Sequence, residues 1–567
     1  MSATAKASSP SNDAGDIDLM GWDTVFALSL DALNASIVSQ KTTPKGFAAA
    51  ASPAEGGAKV EGTWGDWSVI GGEGEGITLK CPVETGVLTV PEASTYKLDG
   101  GYVEVTITLV KNASSQELAD DTAAPGTGST KKFQANPSKE QFQAPVVSKV
   151  SFGSVTGLAV YAAEAGFNAY FGSNIAEFDA VFAAVRLEEE AISKDKQWLK
   201  PVESLYALAK REGAQKGQIE EAFAILNLNS QPSGSLPQQN FDIRMFDVFT
   251  STKTATNSVF AMSSALSMKN IVQNAAQHCV MGSTIDDFHI VNAGITVSNK
   301  NTLNWGKFKL QKDSDETVTP VISPGDFQLT LDGMDFHLSI SQASFTTPDG
   351  SADVKLTADQ YFNLGAVKLG NGKYYFAPAP GLGTNSIRAD VSPNKGFEIA
   401  MIIESIVIGV ALGFLGAGIG EALGGAAEGA TEGAEGVVTA SEDSVSDAID
   451  SMSDSEVSEL TDSSVEDATD SIASDGENTQ GKSGIFANKY KVWGGVLGGM
   501  FGIPIGVLPQ IMTAIWNDRI TEGNVPTVDA FATNFTGAIQ WPQVKSWEVT
   551  GGTFRAAFLL GGNATQK

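Results

Sequence analysis

The chain has 567 residues, of which 66 are acidic and 37 basic, giving a formal net charge of −29. So large an acidic excess argues against nucleic acid, which needs clustered Lys and Arg to neutralise phosphates, and against simple attraction to anionic membranes. The length suits two or more domains with a large core, and the two cysteines, Cys81 and Cys279, suit one disulfide at most and no disulfide framework.

Met1 to Asp16 is polar and rich in Ser and Ala, with no apolar h-region. It is not a secretory signal, and residues 1–19 read as a disordered lead-in. The chain is therefore expected to be cytoplasmic, or secreted without a classical signal peptide. From Gly21 to Ile37, the residues Phe26, Leu30, Leu33 and Ile37 recur at helical spacing, and Val25, Leu28 and Ala32 widen that face. A helix apolar over so much of its circumference has to be enclosed, with Asp23 placed to cap it.

A β-rich block follows. Gly62 to Ile70 and Ile77 to Val83, joined by a Gly-rich turn over 71–76, read as a hairpin. Tyr102 to Val110 alternates, with Val103, Val105, Ile107 and Leu109 on one face. A strand pair is expected between Val146 and Val160. The period changes near Ala176, where Phe178 to about Ala191 reads as helical, and the apolar runs Leu205–Leu208 and Phe223–Leu226 follow. A second broad-faced helix is predicted over Val259–Ala276, carrying Phe260, Leu266, Ile271 and Val272, with Cys279 as a buried thiol in the same pattern. Alternating strands are predicted at 288–297, 303–310, 327–345 and 351–369. The chain thus reads as a helix followed by sheet, twice.

Residues 399–516 differ from all that precedes them. Ser405–Gly420 and Val492–Asn517 are uncharged and dense in glycine, and the second carries Pro504 and Pro509. Between them, residues 421–481 hold seventeen carboxylates and no Lys or Arg, which reads as a solvated insertion with a weak acidic helix in part of it. The apolar segments approach transmembrane length, and their small residues suit close helix pairing. Glu404 and the two prolines oppose insertion into lipid. A buried Gly-rich hairpin explains the same residues, with membrane contact through 399–420 and 492–517 as the sharper alternative. The tail, at Gly537–Pro542, Trp547–Val549 and Phe554–Leu560, returns to strand-like material.

No catalytic constellation emerges. Gly476 to Ser483 satisfies the P-loop pattern, but an acidic run precedes it where a core strand is needed. His278, His289 and His337 are scattered without metal-ligand spacing. There is no nucleophile elbow, no zinc-protease helix and no calcium loop. The expectation is a chain with no catalytic residues, no metal and no cofactor.

Several stretches resemble the OrfX and forty-seven-kilodalton protein family, which is encoded beside clostridial neurotoxins. They are Gly21–Ala27, Gly62–Gly72, Trp198-Leu199-Lys200-Pro201 with Tyr206, Ala224–Leu226, Phe260–Ser263 before Asn270–Val272, and the tail from Trp541-Pro542 through Trp547–Thr550 to Phe558–Gly562. The resemblance implies a tubular lipid-binding (TULIP) fold, in which a highly curved antiparallel sheet wraps a long helix. It also implies lipid binding or an accessory role in toxin delivery.

The combined expectation is an α+β, TULIP-like protein with long helices wrapped by highly curved antiparallel sheets, plus a Gly-rich helical hairpin with an acidic insertion. Its divisions are 1–19, 20–235, 236–398, 399–517 with the insertion at 421–481, and 518–567. Phe26, Leu30, Leu33, Ile37, Phe260 and Ile271 are the candidate lipid-lining residues. Lipid or another hydrophobic ligand is the expected partner. The alternative is a scaffold or toxin-delivery accessory with no bound lipid, whose protein partner would meet an exposed Trp64/Trp67 edge or the acidic block.

Overall fold

The computed structural model describes residues 15–41, 43–72, 76–113, 130–135, 145–175, 178, 186–188, 198, 201–231, 234–249, 256–276, 280, 283–305, 308–309, 317–333, 335–368, 374–380, 386–393, 431–433, 437–440, 539–540 and 544–566. Its contacts group the chain into two compact units. The first comprises Ser8–Met262, Val528–Gly551 and Leu559–Lys567, and the second comprises Met1–Ala7, Ser263–Thr527 and Gly552–Phe558. Both are built mostly of β-sheet with few helices.

In the first unit, the strands Glu203–Lys210, Glu221–Leu228, Thr24–Ser29 and Ser258–Ser263 lie side by side in that order, each antiparallel to the next. Their registers place Tyr206 opposite Ile225, Ile225 opposite Phe26, and Phe26 opposite Phe260. The strand Thr24–Ser29 is buried at every position. Covered on both faces, it carries apolar residues at consecutive positions, Val25-Phe26-Ala27-Leu28.

The chain then turns into the helix Leu30–Gln40 at Ser29. The Ser29 hydroxyl accepts from the Ala32 amide at 3.3 Å, and Lys41 closes the helix in the left-handed region at φ 51°. Leu30, Leu33 and Ile37 share its buried side. Asn34 fixes the helix to the sheet. Its carboxamide nitrogen donates to the Val69 carbonyl at 2.9 Å, and its oxygen accepts from the Val69 amide at 2.8 Å.

A second sheet of the same unit runs through Gly46–Ala50, Lys59–Trp64, Gly76–Thr89, Tyr102–Ala113, Thr130–Ala135, Arg186–Glu188 and Ile539–Gln540. The strand Ser68–Gly71 pairs with Gly76–Thr89, with Val69 opposite Leu79, as the sequence predicts for a hairpin. Val103, Val105 and Ile107 all point into the core. The helix Leu158–Ser173 buries Ala159, Ala163, Gly166, Phe167, Tyr170 and Phe171. Gly166 allows close approach, because a Cβ there would stand 2.8 Å from Val60 Cγ1. The helix closes over Phe47, Trp64, Trp67 and Phe178, with Phe47 and Trp64 centroids 4.3 Å apart and the Trp64 indole donating to Tyr170 Oη at 3.2 Å.

In the second unit, Ser263 caps a helical stretch by accepting from the Leu266 amide at 3.3 Å. That stretch runs as Ser264–Ser267, a π-helical turn Met268–Val272, and Gln273–Ala276. A sheet follows. Its long members are Phe327–Asp332, Asp335–Thr346 and Ala352–Lys368, paired antiparallel in sequence. Buried Phe336, Leu338 and Ile340 alternate with half-buried residues on the middle strand.

The structure corrects several expectations. Gly21–Ile37 is not one helix: residues 24–29 are a strand, and the helix starts at Leu30, capped by Ser29 rather than Asp23. Val259–Ala276 likewise begins as the strand Ser258–Ser263. Both mistakes have one cause. A strand buried on both faces and a helix buried all round give the same apolar run. After the strand Val146–Ser151 the chain forms the helix from Leu158, not a second strand. Residues 186–188, expected to be helical, form a strand. Trp64 and Trp67 are buried, so they offer no exposed edge to a partner. Residues 15–19 of the expected lead-in are described, and Ile17 and Leu19 are buried. Within the acidic block, Thr431–Gly433 and Val437–Ala440 pair as strands. The rest of that block, both Gly-rich segments, the P-loop-like run and Cys279 lie outside the described residues.

Candidate functional site

Side chains alternate across a strand, and residues directly opposite each other share a face. In the first unit, one face of the four-stranded array therefore carries the row Tyr206, Ile225, Phe26 and Phe260. Phe223 and Ser258 lie in the next row. Phe26 meets Phe260 edge-on at 6.4 Å between centroids and Trp547 at 5.4 Å. The Trp547 indole donates to Ser258 Oγ at 2.8 Å, which fixes that ring against the face. Tyr206 stacks on Phe223 at 5.9 Å.

One row nearer the strand ends, the same face turns polar. Ser204 lies opposite Asn227, and Asn227 opposite Thr24. Ser204 is 0% exposed, Asn227 1% and Thr24 4%. Asn227 Nδ2 donates to Thr24 Oγ1 at 3.2 Å. Ser204 Oγ and Asn227 Oδ1 have no hydrogen-bond partner in the protein, nor have the two side-chain atoms of Asn229. Buried polar groups are ordinarily paired, so this cluster holds hydrogen-bonding capacity that the protein itself does not use. The row carries hydroxyls and amides but no charge.

The structure places the six sequence-predicted residues unequally. Phe26 and Phe260, 3% and 1% exposed, come together at the centre of this face. Leu30, Leu33 and Ile37 are buried on the following helix, which packs on the strands Ser68–Gly71 and Glu221–Leu228. Ile271 sits in the π-helical turn of the second unit, and its side chain lies outside those described. Sequence reasoning missed Tyr206, Phe223 and Trp547 as members of the wall, and all of the polar row. The signal for the row was three polar residues, Thr24, Ser204 and Asn227, each bordering an apolar run. Only the register shows that they are neighbours.

The remaining chemistry is sparse. Burial pushes the Cys81 thiol well above its ordinary range, which leaves it protonated and poorly nucleophilic. His337 Nε2 lies 2.8 Å from Asp359 Oδ1, and its ring stacks on Tyr361 at 4.1 Å. His289 Nδ1 is buried without a partner. Among the described residues, no three His, Cys, Asp or Glu side chains gather to hold a metal ion. Among them too, no helix is long and apolar enough to cross a membrane.

Comparison with known proteins gives consistent results. The model of the OrfX-like family, described as Protein OrfX2/OrfX3/P47, matches residues 19–373. Protein OrfX3 of Paraclostridium bifermentans is 38% identical over 65 residues, a segment that spans 11% of this chain and 13% of that protein. P47 from Clostridium botulinum A2 superposes with a TM-score of 0.59 at 15% identity, covering 97% of this chain and 99% of P47. P47 of Clostridium botulinum E1 gives a TM-score of 0.57 at 13% identity, covering 97% and 100%. At such identities the likeness carries the fold and says nothing about ligand or partner.

Proposed function

The chain belongs to the OrfX-like family, and from that premise we propose that it is a non-enzymatic lipid-binding protein of the tubular lipid-binding type, accessory to a toxin-like or secreted complex. The observation that carries the reading is the face in the first unit where an aromatic wall, Phe26, Phe260 and Trp547, adjoins an uncharged polar row with unpaired atoms. Ligand sites combine a mostly apolar lining with a few convergent polar groups, and an amphipathic molecule has that division in itself. Burying its chain contributes about 25 cal/mol per Å² of apolar area removed from water. The family premise supports the accessory role.

The experiment is organic extraction of the purified protein followed by mass spectrometry. A lipid recovered in stoichiometric amount supports the reading. A clean protein that also takes up no added lipid rejects it.

One observation favours a second reading, that of an assembly accessory without bound lipid. Phe26 and Phe260 are already covered by neighbouring rings in the structure, so a face filled by its own side chains needs no ligand. Under that reading the protein exchanges lipid with nothing and captures a protein partner of its complex instead.

A further inference from the structure

The polar row at the end of the aromatic face sets the kind of head group that the site accepts. Ser204 Oγ offers one donor and two acceptor positions, and Asn227 Oδ1 is an acceptor. Both are buried and unpaired. Asn229, two residues further along the same strand direction, adds an amide whose oxygen and nitrogen are also unpaired. The row stands one residue in from a half-buried rim, since Asp23 and Asn229 are both partly exposed. The Asn229 backbone N–H donates to Asp23 Oδ2 at 2.7 Å, so that rim carries a carboxylate.

The stretches that carry the row, Trp22–Phe26, Val202–Tyr206 and Ile225–Asn229, include the carboxylates Asp23 and Glu203 and no Lys or Arg. An anion placed against the row would lose its water and meet no compensating charge, which is far more costly than burying a hydrogen-bonded neutral group. A hydroxyl or an ester carbonyl would instead satisfy the unpaired atoms directly.

We propose that Ser204, Asn227 and Asn229 bind the uncharged polar head of an amphipathic ligand, a glyceride-type hydroxyl or ester, so that the protein selects neutral lipids over anionic ones of the same chain. This rests on the lipid-binding reading above and goes beyond it in naming the ligand class and the residues that choose it.

The test compares 1-monooleoylglycerol with oleate on the full chain. The two share an acyl chain and differ in head-group charge. The wild-type protein is expected to bind the glyceride at least about tenfold more tightly than oleate, the size of one well-made buried hydrogen bond to a neutral group. Ser204→Ala is the informative variant because Oγ has no partner in the protein. It is expected to leave the melting temperature of the ligand-free protein unchanged or raised, to weaken glyceride binding about tenfold, and to leave oleate binding as it was. A merely structural hydroxyl would show the reverse, a lower melting temperature and unchanged glyceride affinity. Asn227→Leu serves as a second variant with the same expected loss.

Equal affinity for the two ligands, or tighter oleate binding, overturns the head-group assignment while leaving lipid binding intact. Unchanged glyceride affinity in both variants does the same and shows that the row holds water only. Failure of the wild-type protein to bind either ligand rejects the lipid reading itself, and this assignment with it.

Discussion

Phe26 and Phe260 lie directly opposite each other across one antiparallel strand pair, with Thr24 facing Met262 and Leu28 facing Ser258. The two strands read Thr-Val-Phe-Ala-Leu-Ser and Ser-Val-Phe-Ala-Met-Ser. The two phenylalanines are thus equivalent positions in two copies of one motif, and each pairs with its own counterpart. Each copy ends in a serine that caps the helix after it, Ser29 in one and Ser263 in the other. The sequence reads as a helix followed by sheet, twice; at both places the structure has a strand first and the helix after it.

This pairing makes both rings costly to remove. Phe26→Ala and Phe260→Ala are each expected to destabilise the protein by about 3–5 kcal/mol in urea unfolding. The double variant should cost less than the sum by about 0.5–1.5 kcal/mol, the coupling of an edge-on ring pair. Strict additivity would show that the rings do not interact.

Asn34 acts as a substitute strand by bonding both polar atoms of Val69. Asn34→Leu leaves the Val69 amide and carbonyl unpaired in a partly buried place. The expected loss is about 1–3 kcal/mol, and hydrogen exchange at the Val69 amide should quicken while exchange at buried Leu79 stays slow. Unchanged protection at Val69 would show that the bond is not made in solution.

Gly62 pairs across from Gly86 in the second sheet of the first unit, and a Cβ on it would collide with the Thr85 carbonyl and with the Gly86 backbone. Gly62→Ala is therefore expected to destabilise by more than about 1 kcal/mol. Gly153→Ala, where a Cβ meets nothing within 4 Å, is expected to stay within about 0.5 kcal/mol. Similar thermal shifts for the two would contradict the packing described.

Asp349 sits in a turn where the Thr347 hydroxyl and the Ser351 amide and hydroxyl hydrogen-bond its carboxylate, lowering its pKa from 3.8 to about 2. A pKa lower in the folded than in the unfolded state means a contribution present above the unfolded value and lost as pH falls through the folded one. Its share of stability is thus expected to fade between about pH 4 and pH 2. Asp349→Asn should flatten that part of the acid limb in a pH series of unfolding curves, lowering stability at neutral pH and leaving it little changed near pH 2. An NMR titration midpoint near the ordinary carboxylate value would contradict the turn geometry.

The sequence was legible wherever one face of an element meets solvent. The Val69–Leu79 hairpin and the Val103, Val105, Ile107 alternation follow directly from period two. Reading failed where both faces are covered. Thr24–Ser29, Ser258–Ser263 and Glu221–Leu228 are buried almost throughout, so periodicity could not separate strand from helix. The helix Leu158–Ser173 was hidden for a different reason. Its buried side is largely Ala and Gly until Phe167, while exposed Leu158 and Tyr161 blur the stripe. Phe26 and Phe260 were legible as candidates because each stands in an apolar run. The polar row was not, because Thr24, Ser204 and Asn227 become neighbours only through register.

The most direct test of the account is photo-crosslinking with an acyl ligand that carries a diazirine in its chain and an uncharged glyceride head, followed by peptide mapping. The account predicts adducts on the peptides holding Phe26, Phe260 and Trp547, competed away by unlabelled monooleoylglycerol. Adducts spread over the surface, or none at all on a folded protein, would contradict lipid binding at this face and leave the assembly role as the reading to pursue.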